Sequence, residues 1–471
     1  MTECTPSAFL GERRPLLRGL VQALAGRYEY LSVLGTDDSG LSFRASRGET
    51  GSSDPFWVQR GFVVRAQRSG RVVEFAFNEL PAEGAALAAS VAGRLDALLE
   101  TSGSSRAYPS LSDAPAQGEF RGSVAMDPFG ADPESTLARL AACRDALLAR
   151  PDIASAQARA DFVRVSRCFL SPGRDLFQTF DWAQAYLFGV IRRGDQAKTS
   201  YRACSGRKGA EILGELEAKA PELAVELAQL LGAGRVEPGE YEVIMTPDVA
   251  GTLAHEAFGH GVETDMFVKG RAKAREYMGT AVASPIVTMY DGAAGVDQTG
   301  SFLFDDEGNL GMKTLVIDRG TLVSGFSDAL SALSLGVSAT GNGRRQAYDH
   351  KAYARMTNTY FAPGASTLQE MVASTREGWL LDRLDSGMED PRNWGIQLIV
   401  LVGREIREGR LTSKVVSPVF CSGYVPDVLR AVSMVSSDFE LGGSGACGKG
   451  YKEFVKVSAG GPYVKTRMRL G

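Results

Sequence analysis

Two of the three histidines in this 471-residue chain fall inside one hexapeptide, "HEAFGH", residues 255–260. Neutral imidazoles are good zinc ligands, and a glutamate beside one can take a proton from a zinc-bound water as it attacks a carbonyl. His255 and His260 are therefore candidate metal ligands and Glu256 a candidate general base. The familiar zinc-protease helix spaces its histidines four apart, whereas these stand five apart. At about 100° per residue, four steps leave side chains about 40° apart and five leave them about 140° apart. An ideal α-helix cannot aim both rings at one ion. Two geometries can: a single π-type turn that absorbs one residue, or a helix that ends near Gly259 so that His260 swings round on irregular backbone. A catalytic zinc also needs a third protein ligand. Glu263 is the local option, and Cys447 in "GGSGACGKG" is the distant one, with Lys449 nearby to favour its thiolate. The residues alone leave that choice open.

The elements around the motif explain how it is carried. "YEVIM" (241–245) is a β-type run, after which Thr246 can cap a helix with Pro247 at its first position and Asp248 in its first turn. Val249, Leu253, Ala254 and Ala257 form the apolar stripe, which His255 and Glu256 leave. Upstream, apolar spacing predicts helices over 13–28, 83–100, 133–150 and 209–231. "GFVVRAQRSGRVVEFAF" reads as a hairpin turning at Arg68-Ser69-Gly70, and a loop follows from about 101 to 132. "GAGRVEPGEY" (232–241) interrupts two periodic segments and marks a boundary. Beyond it, "KTLVIDRGTLVSGF" and "IQLIVLVGREIREGRLTSKVV" are β-branched runs broken by glycine turns. The expected fold class is α+β: an N-terminal α/β-mixed domain over 1–235, then a mainly antiparallel, barrel-like domain over 236–471 that carries the motif helix.

Bulk composition narrows the classes. Apolar residues make up 44% and charged residues 23%, ordinary for a globular protein. Net charge is −4 with no basic stripe, which argues against nucleic-acid binding. No apolar run is long enough to span a bilayer, and the N-terminus does not read as a signal peptide, so the expected compartment is the cytoplasm. Six cysteines are too sparse for a disulfide framework. Cys143, Cys168 and Cys204 read as inert thiols.

"HEAFGHGVETD" (255–265), "ATGNGRRQAY" (339–348), "RMTNTYFAPG" (355–364) and "GACGKG" (445–450), in this order, resemble the TldD/PmbA metallopeptidases, once called modulators of DNA gyrase. "DDEGNLG" (305–311) and "AVASPIVTMYDG" (281–292) fit as well, and the resemblance is strongest from about Glu240 onward. It implies a TldD-type subunit, a zinc-dependent peptidase in which His255, His260 and Cys447 hold Zn2+ and Glu256 acts as base. Cys447 is thereby preferred over Glu263 and over Cys421. The resemblance further implies a heterodimer with a related TldE/PmbA-type subunit lacking the metal motif, with a homodimer as the alternative. The implied substrate is an unfolded peptide or flexible protein tail that pairs with strand edges. After "CGK" the family often continues Gly-Gln, whereas Gly450 here leads into "YKEFVKV".

Four further residues are candidates for substrate binding. His350 could steady an oxyanion, and Arg355, Asn358 and Tyr360 could hold a peptide backbone. Each has a plainer structural alternative. "TGNGRR" lacks the strand–turn–helix setting of a phosphate loop. Two rival functions remain: a non-catalytic peptide-binding subunit with a structural metal, and a metal-dependent amidase of small molecules.

Overall fold

The computed structural model describes residues 1–81, 83–101, 107–449 and 453–471. Its first half is organised by an eight-stranded sheet. In spatial order the main strands are Gln196–Gly206, Arg174–Arg193, Ile153–Leu170, Tyr30–Ser46, Gln59–Arg68 and Arg71–Phe77, each antiparallel to its neighbour. Helices α1 (Ala8–Leu24) and α2 (Gly84–Thr101) share one apolar cluster with this sheet. Helices α3 (Pro133–Leu148) and α4 (Ile212–Leu230) share another. Helix α1 begins at 8 rather than 13 because the Ser7 hydroxyl accepts the Leu10 N–H at 3.0 Å and caps it there. The hairpin turn falls as expected: Ser69 (φ 51°) and Gly70 (φ 73°) both adopt left-handed backbone, which matches the twist of the flanking strands.

The strands over 153–206 are the longest part of the sheet, and apolar periodicity did not announce them. Several of their polar residues are buried and paired instead of facing water. Arg164 meets Asp181 through two 2.8 Å bonds, and Asp161 accepts from Ser42 and from the Gln184 amide. The sheet's second face is covered by the later part of the chain. Phe304 packs among Leu34, Val63, Phe169 and Leu176. The Gln178 amide nitrogen donates to the Phe304 carbonyl (2.9 Å), and its oxygen accepts the Leu303 N–H (2.8 Å). A charged network spans the same junction. Arg65 lies 2.8 Å from Glu74 and 2.6 Å from Glu307, while Arg345 reaches Glu74 at 3.0 Å.

The second half contains a closed five-stranded barrel. Gly239–Met245 pairs in parallel with Glu377–Glu389, which runs antiparallel to Gly395–Arg407. Val419–Tyr424 and Val464–Leu470 follow, and the last strand returns to pair with the first. Beside the barrel lies a six-stranded sheet that includes Met289–Asp291, Asn358–Phe361 and Ser458–Gly461. Both glycine-turn hairpins form, with Arg319-Gly320 and Glu408-Gly409 at positive φ. Helix α5 (Pro247–Ala254) follows the first barrel strand directly and shares the core of barrel and sheet. No helix among the described residues is long and apolar enough to cross a membrane.

Helix α5 lies so close to Ser458–Gly461 that a Cβ on Gly251 would stand 2.2 Å from the Gly460 backbone nitrogen. Backbone cannot yield as a flexible side chain can. Gly251→Ala is expected to cost about 1–3 kcal/mol through overpacking, read as a lowered denaturation midpoint; an unchanged midpoint would show that the helix can lift away freely. The junction network makes a separate prediction. Burial alone would raise the Glu74 carboxyl, but Arg65 and Arg345 outweigh it and hold the group down to about 2. A carboxylate depressed in the folded state contributes stability that is complete above its unfolded pKa and lost as pH falls through the folded value. Glu74 should therefore stabilise fully above the ordinary value of 4.5 and lose its effect towards pH 2. Glu74→Gln should remove roughly 2–3 kcal/mol at neutral pH and flatten that acid limb, checked by denaturant titration from pH 7 to 2.

Candidate metal centre

The extra residue between the histidines is absorbed by a π turn. Helix α5 stops at Ala254, and His255–Gly259 winds one wider turn in which the His260 N–H bonds to the His255 carbonyl. Phe258 takes the distortion, with φ −126° and ψ 15°, and a 3-10 turn over His260–Val262 follows. Of the two geometries open from the sequence, the bulge is the one adopted. Gly259 is needed there for space: it keeps φ −78°, but a Cβ on it would lie 2.1 Å from the Met356 sulfur. Thr246 occupies the N-cap position, yet its hydroxyl faces the Leu381 carbonyl (3.1 Å) and Asp248 and does not cap the helix. The barrel strand beside it competes for the same hydroxyl.

The π turn brings the two imidazoles together, their ring centres 5.3 Å apart and their planes perpendicular. Cys447 lies on the strand Ala446–Lys449, paired with Glu453–Lys456. Its sulfur sits 3.3 Å from His260 Nε2. One donor atom from each of His255, His260 and Cys447 falls within 4.8 Å of the others. Two donors on one tetrahedral zinc ion would stand about 3.5 Å apart, so the arrangement fits such an ion, and two imidazoles with one thiol suit it chemically. Burial would raise the Cys447 thiol, but the adjoining His260 and His255 imidazoles outweigh it and carry it well below its ordinary value, towards thiolate. Lys449, two residues on, does not face the sulfur. Its ammonium is taken by Glu263 (3.0 Å) and Asp265 (2.5 Å).

Glu263, the local alternative as a ligand, instead meets the ring of His260. One of its carboxylate oxygens lies 3.2 Å from His260 Nδ1, on the far side of the ring from Cys447. Such a carboxylate fixes the tautomer so that Nε2 is free to bind metal. Burial would push the Glu263 carboxyl up, but Lys449 and then His260 dominate and hold it down to about 2. Arg355 completes the frame. It is fully buried, donates to the Cys447 carbonyl at 2.7 Å and to the Glu453 carbonyl at 2.9 Å, and its Nε lies 3.6 Å from Glu263. It ties the cysteine strand pair to the histidine segment.

Glu256 is only half-buried, and its side chain runs beside Gly387 on the barrel strand Glu377–Glu389; a Cβ on that glycine would stand 3.1 Å from Glu256 Cγ. The same strand ends at Glu389, which no sequence motif singled out. Both Glu389 carboxyl oxygens are buried without a hydrogen-bond partner among the described residues. Burial pushes this carboxyl up to about 9; His260 opposes the shift and Glu256 adds to it. A carboxyl that burial disposes to keep its proton therefore stands near the candidate base. Its position depends on strand pairing over a distance that sequence spacing does not express.

The remaining candidates lie apart from this cluster. Asn358 is fully buried, donates to the Gly292 carbonyl and Ser301, and accepts from the Ser458 hydroxyl. Tyr360 is buried against Tyr290 and Phe439. His350 keeps a partly exposed ring near Glu453 (3.8 Å), beside a surface pocket shared with Arg345 and Tyr348. Cys421 is buried in the barrel core, where its thiol is pushed up to about 12. The departure from the family pattern at 450–452 lies outside the described residues.

Fold and site thus define a mixed α/β protein in which a π turn following a barrel strand brings two histidines against a cysteine on a separate strand pair. Residues 238–469 match the model of the PmbA/TldA metallopeptidase C-terminal domain. A metalloprotease of Methanothermobacter thermautotrophicus is 30% identical over 305 residues, covering 64% of this chain and 66% of that protein. A zinc metalloprotease TldD homolog of Saccharolobus solfataricus is 31% identical over 230 residues, covering 49% of this chain and 51% of that protein. The matched stretches span between half and two thirds of these relatives' own length. The chain belongs to the TldD/PmbA metallopeptidase family. Solved structures share the fold: TldE of Thermococcus kodakarensis superposes with TM-score 0.76 at 16% identity, covering 97% of this chain and 100% of that one. A modulator of a DNA gyrase from Thermotoga maritima gives 0.78 at 15% identity, covering 98% of this chain and 100% of that one.

The orienting role of Glu263 is testable. Glu263→Gln should weaken zinc binding about 10–100-fold, measured by competition with a chromophoric chelator on variants whose folding is checked by circular dichroism. Unchanged affinity in a folded variant would exclude that role.

Proposed function

We propose that this chain is the metal-bearing, TldD-type subunit of a zinc peptidase, with His255, His260 and Cys447 holding the ion and Glu256 as general base. The observation that carries the reading is the meeting of two imidazoles and a thiol within 4.8 Å, beside Glu256 on a π turn. Bound there, zinc supplies a Lewis acid for the scissile carbonyl and the attacking water. Glu256 takes the water's proton and returns it to the leaving amine. Glu263 keeps His260 oriented, and Arg355 with Lys449 keeps the cysteine strand pair against the histidines. A three-donor set with an open position is the pattern of a catalytic zinc and not a structural one. The engagement of Glu263 by Lys449 and His260 supports it, because that carboxylate is not free to close the site.

The substrate in this reading is an unfolded peptide or flexible tail bound through strand pairing, which gives affinity without one required sequence. The partner is a TldE-type subunit, the compartment is the cytoplasm, and the catalytic domain spans 236–471. Glu256→Gln should retain zinc and lose about 10³-fold in kcat on an unfolded peptide, whereas His255→Ala should lose both zinc and turnover. Metal analysis with peptide hydrolysis checks this; an active, zinc-loaded His255→Ala protein would end the proposal. Native mass spectrometry of the purified protein reads the partner directly.

A further inference from the structure

The junction between the N-terminal sheet and the cysteine strand pair encloses a cavity of about 70 Å³. A single water takes up roughly 10–15 Å³ of such space, so there is room for a small polar group on a short stem. Much of the wall is aromatic, with Trp57, Trp182, Phe302 and Phe454 among its residues. Trp57 meets Trp182 edge to face at 5.8 Å.

Four cations also line it, and they divide sharply. Arg167 is paired with Asp38 and Asp306, and Arg345 with Glu74. Arg344 and Lys456 have no carboxylate within ion-pair distance among the described residues. Arg344 donates to the Met356 carbonyl at 2.8 Å and lies over the Phe302 ring at 5.3 Å. Lys456 is 5% exposed, donates to the Gly445 carbonyl (3.0 Å) and the Gln184 side-chain oxygen, and sits over Trp182 at 4.9 Å. An ammonium has three donors, so one remains to be used. Of the carboxyls on the wall, Asp38 and Asp306 share a single cation, Arg167. Asp305 accepts three backbone N–H groups, and burial, with Glu307 beside it, pushes it up to about 8. Arg167, Arg344 and a protonated Lys456 against Asp38 and Asp306 leave an excess of one positive charge on the wall, with no carboxylate in contact with Arg344 or Lys456 among the described residues.

We propose that this cavity binds a single carboxylate carried on an apolar stem, held between Arg344 and Lys456 with the stem against the aromatic wall. A guanidinium fork matches a carboxylate in shape and charge. A dianion such as phosphate is disfavoured by Asp38 and Asp306 on the same wall. Burying a cation without a partner is costly, and Lys456 shows that cost: desolvation brings its ammonium down to about 7, with only distant Asp161 opposing. Desolvation likewise lowers Arg344 to about 10. An incoming carboxylate relieves both. Lys456 and Val455 stand directly across from Ala446 and Cys447, so an occupant would brace the strand pair that carries the cysteine. The binding depends on neither a metal nor the peptidase reading.

Two of the chain's four tryptophans line this cavity, which makes intrinsic fluorescence a direct readout. The full chain is titrated with 3-phenylpropionate and with 3-phenylpropionamide, its neutral counterpart. Saturable quenching by the acid, at least tenfold tighter than by the amide, supports the site. Equal binding of the two, or no saturable change, overturns it. Lys456→Met, verified as folded by circular dichroism, should weaken the acid about tenfold and leave the amide unaltered; equal loss for both would also overturn it. N-acetylphenylalanine and N-acetylaspartate methylamide then separate a peptide's C-terminal carboxylate from an acidic side chain, and tighter binding of one identifies the source. Inorganic phosphate binding as tightly as 3-phenylpropionate would contradict the preference for a monoanion.

Discussion

The pairing of Gly239–Met245 with Val464–Leu470 is the contact on which the rest of the molecule depends. It joins the first strand of the barrel to the last and closes the ring. The first strand runs straight into helix α5 and its histidines. The last strand is preceded by Ser458–Gly461, against which α5 packs, and by the strand pair carrying Cys447. One set of backbone hydrogen bonds therefore brings together donors 187 residues apart in the chain. Closing so long a loop is entropically costly, and the shared core of barrel, helix and sheet compensates for it.

Charge is buried around the cluster on a strict condition. An isolated buried carboxylate would take up a proton, and an isolated buried ammonium would lose one. Glu263 escapes this because Lys449 and His260 meet it from two sides, with Arg355 beyond. These contacts join the histidine segment, the cysteine strand and the segment around 355 into one electrostatic unit. Breaking such a unit strands its remaining members without solvent. The same rule explains the buried Arg164–Asp181 pair in the N-terminal sheet. Glu389 and Lys456 are two exceptions among the described residues, each buried without an opposite charge in contact; Glu389 lies near His260 and Lys456 on the strand paired with that of Cys447.

The elements legible in the chain were those whose signals are local. Four helices of the first half lay close to their expected spans, and the three glycine-containing turns formed where β-branched runs were interrupted. The strands over 153–206 escaped because their buried faces carry alanine and paired charge in place of a continuous apolar alternation. Hydrophobic pattern registers burial only when burial is apolar. Thr246 shows the same limit on a smaller scale: its position is that of a cap, but a neighbouring barrel strand claims its hydroxyl.

At the centre, residue type and spacing already nominated His255, His260 and Glu256 as candidates and required that an ideal helix be interrupted if both rings were to face one ion. Those are properties of a few consecutive residues and of helical geometry. Tertiary structure decided how the interruption is made, through a π turn whose Gly259 must clear Met356. It also decided that Glu263 meets the ring of His260, that Lys449 serves carboxylates and not the thiol, and that Arg355 ties the two segments together. Each of these depends on which groups meet across strands and sheets. Such meetings are set by barrel closure and by the cost of leaving a buried charge alone, and no local pattern encodes either.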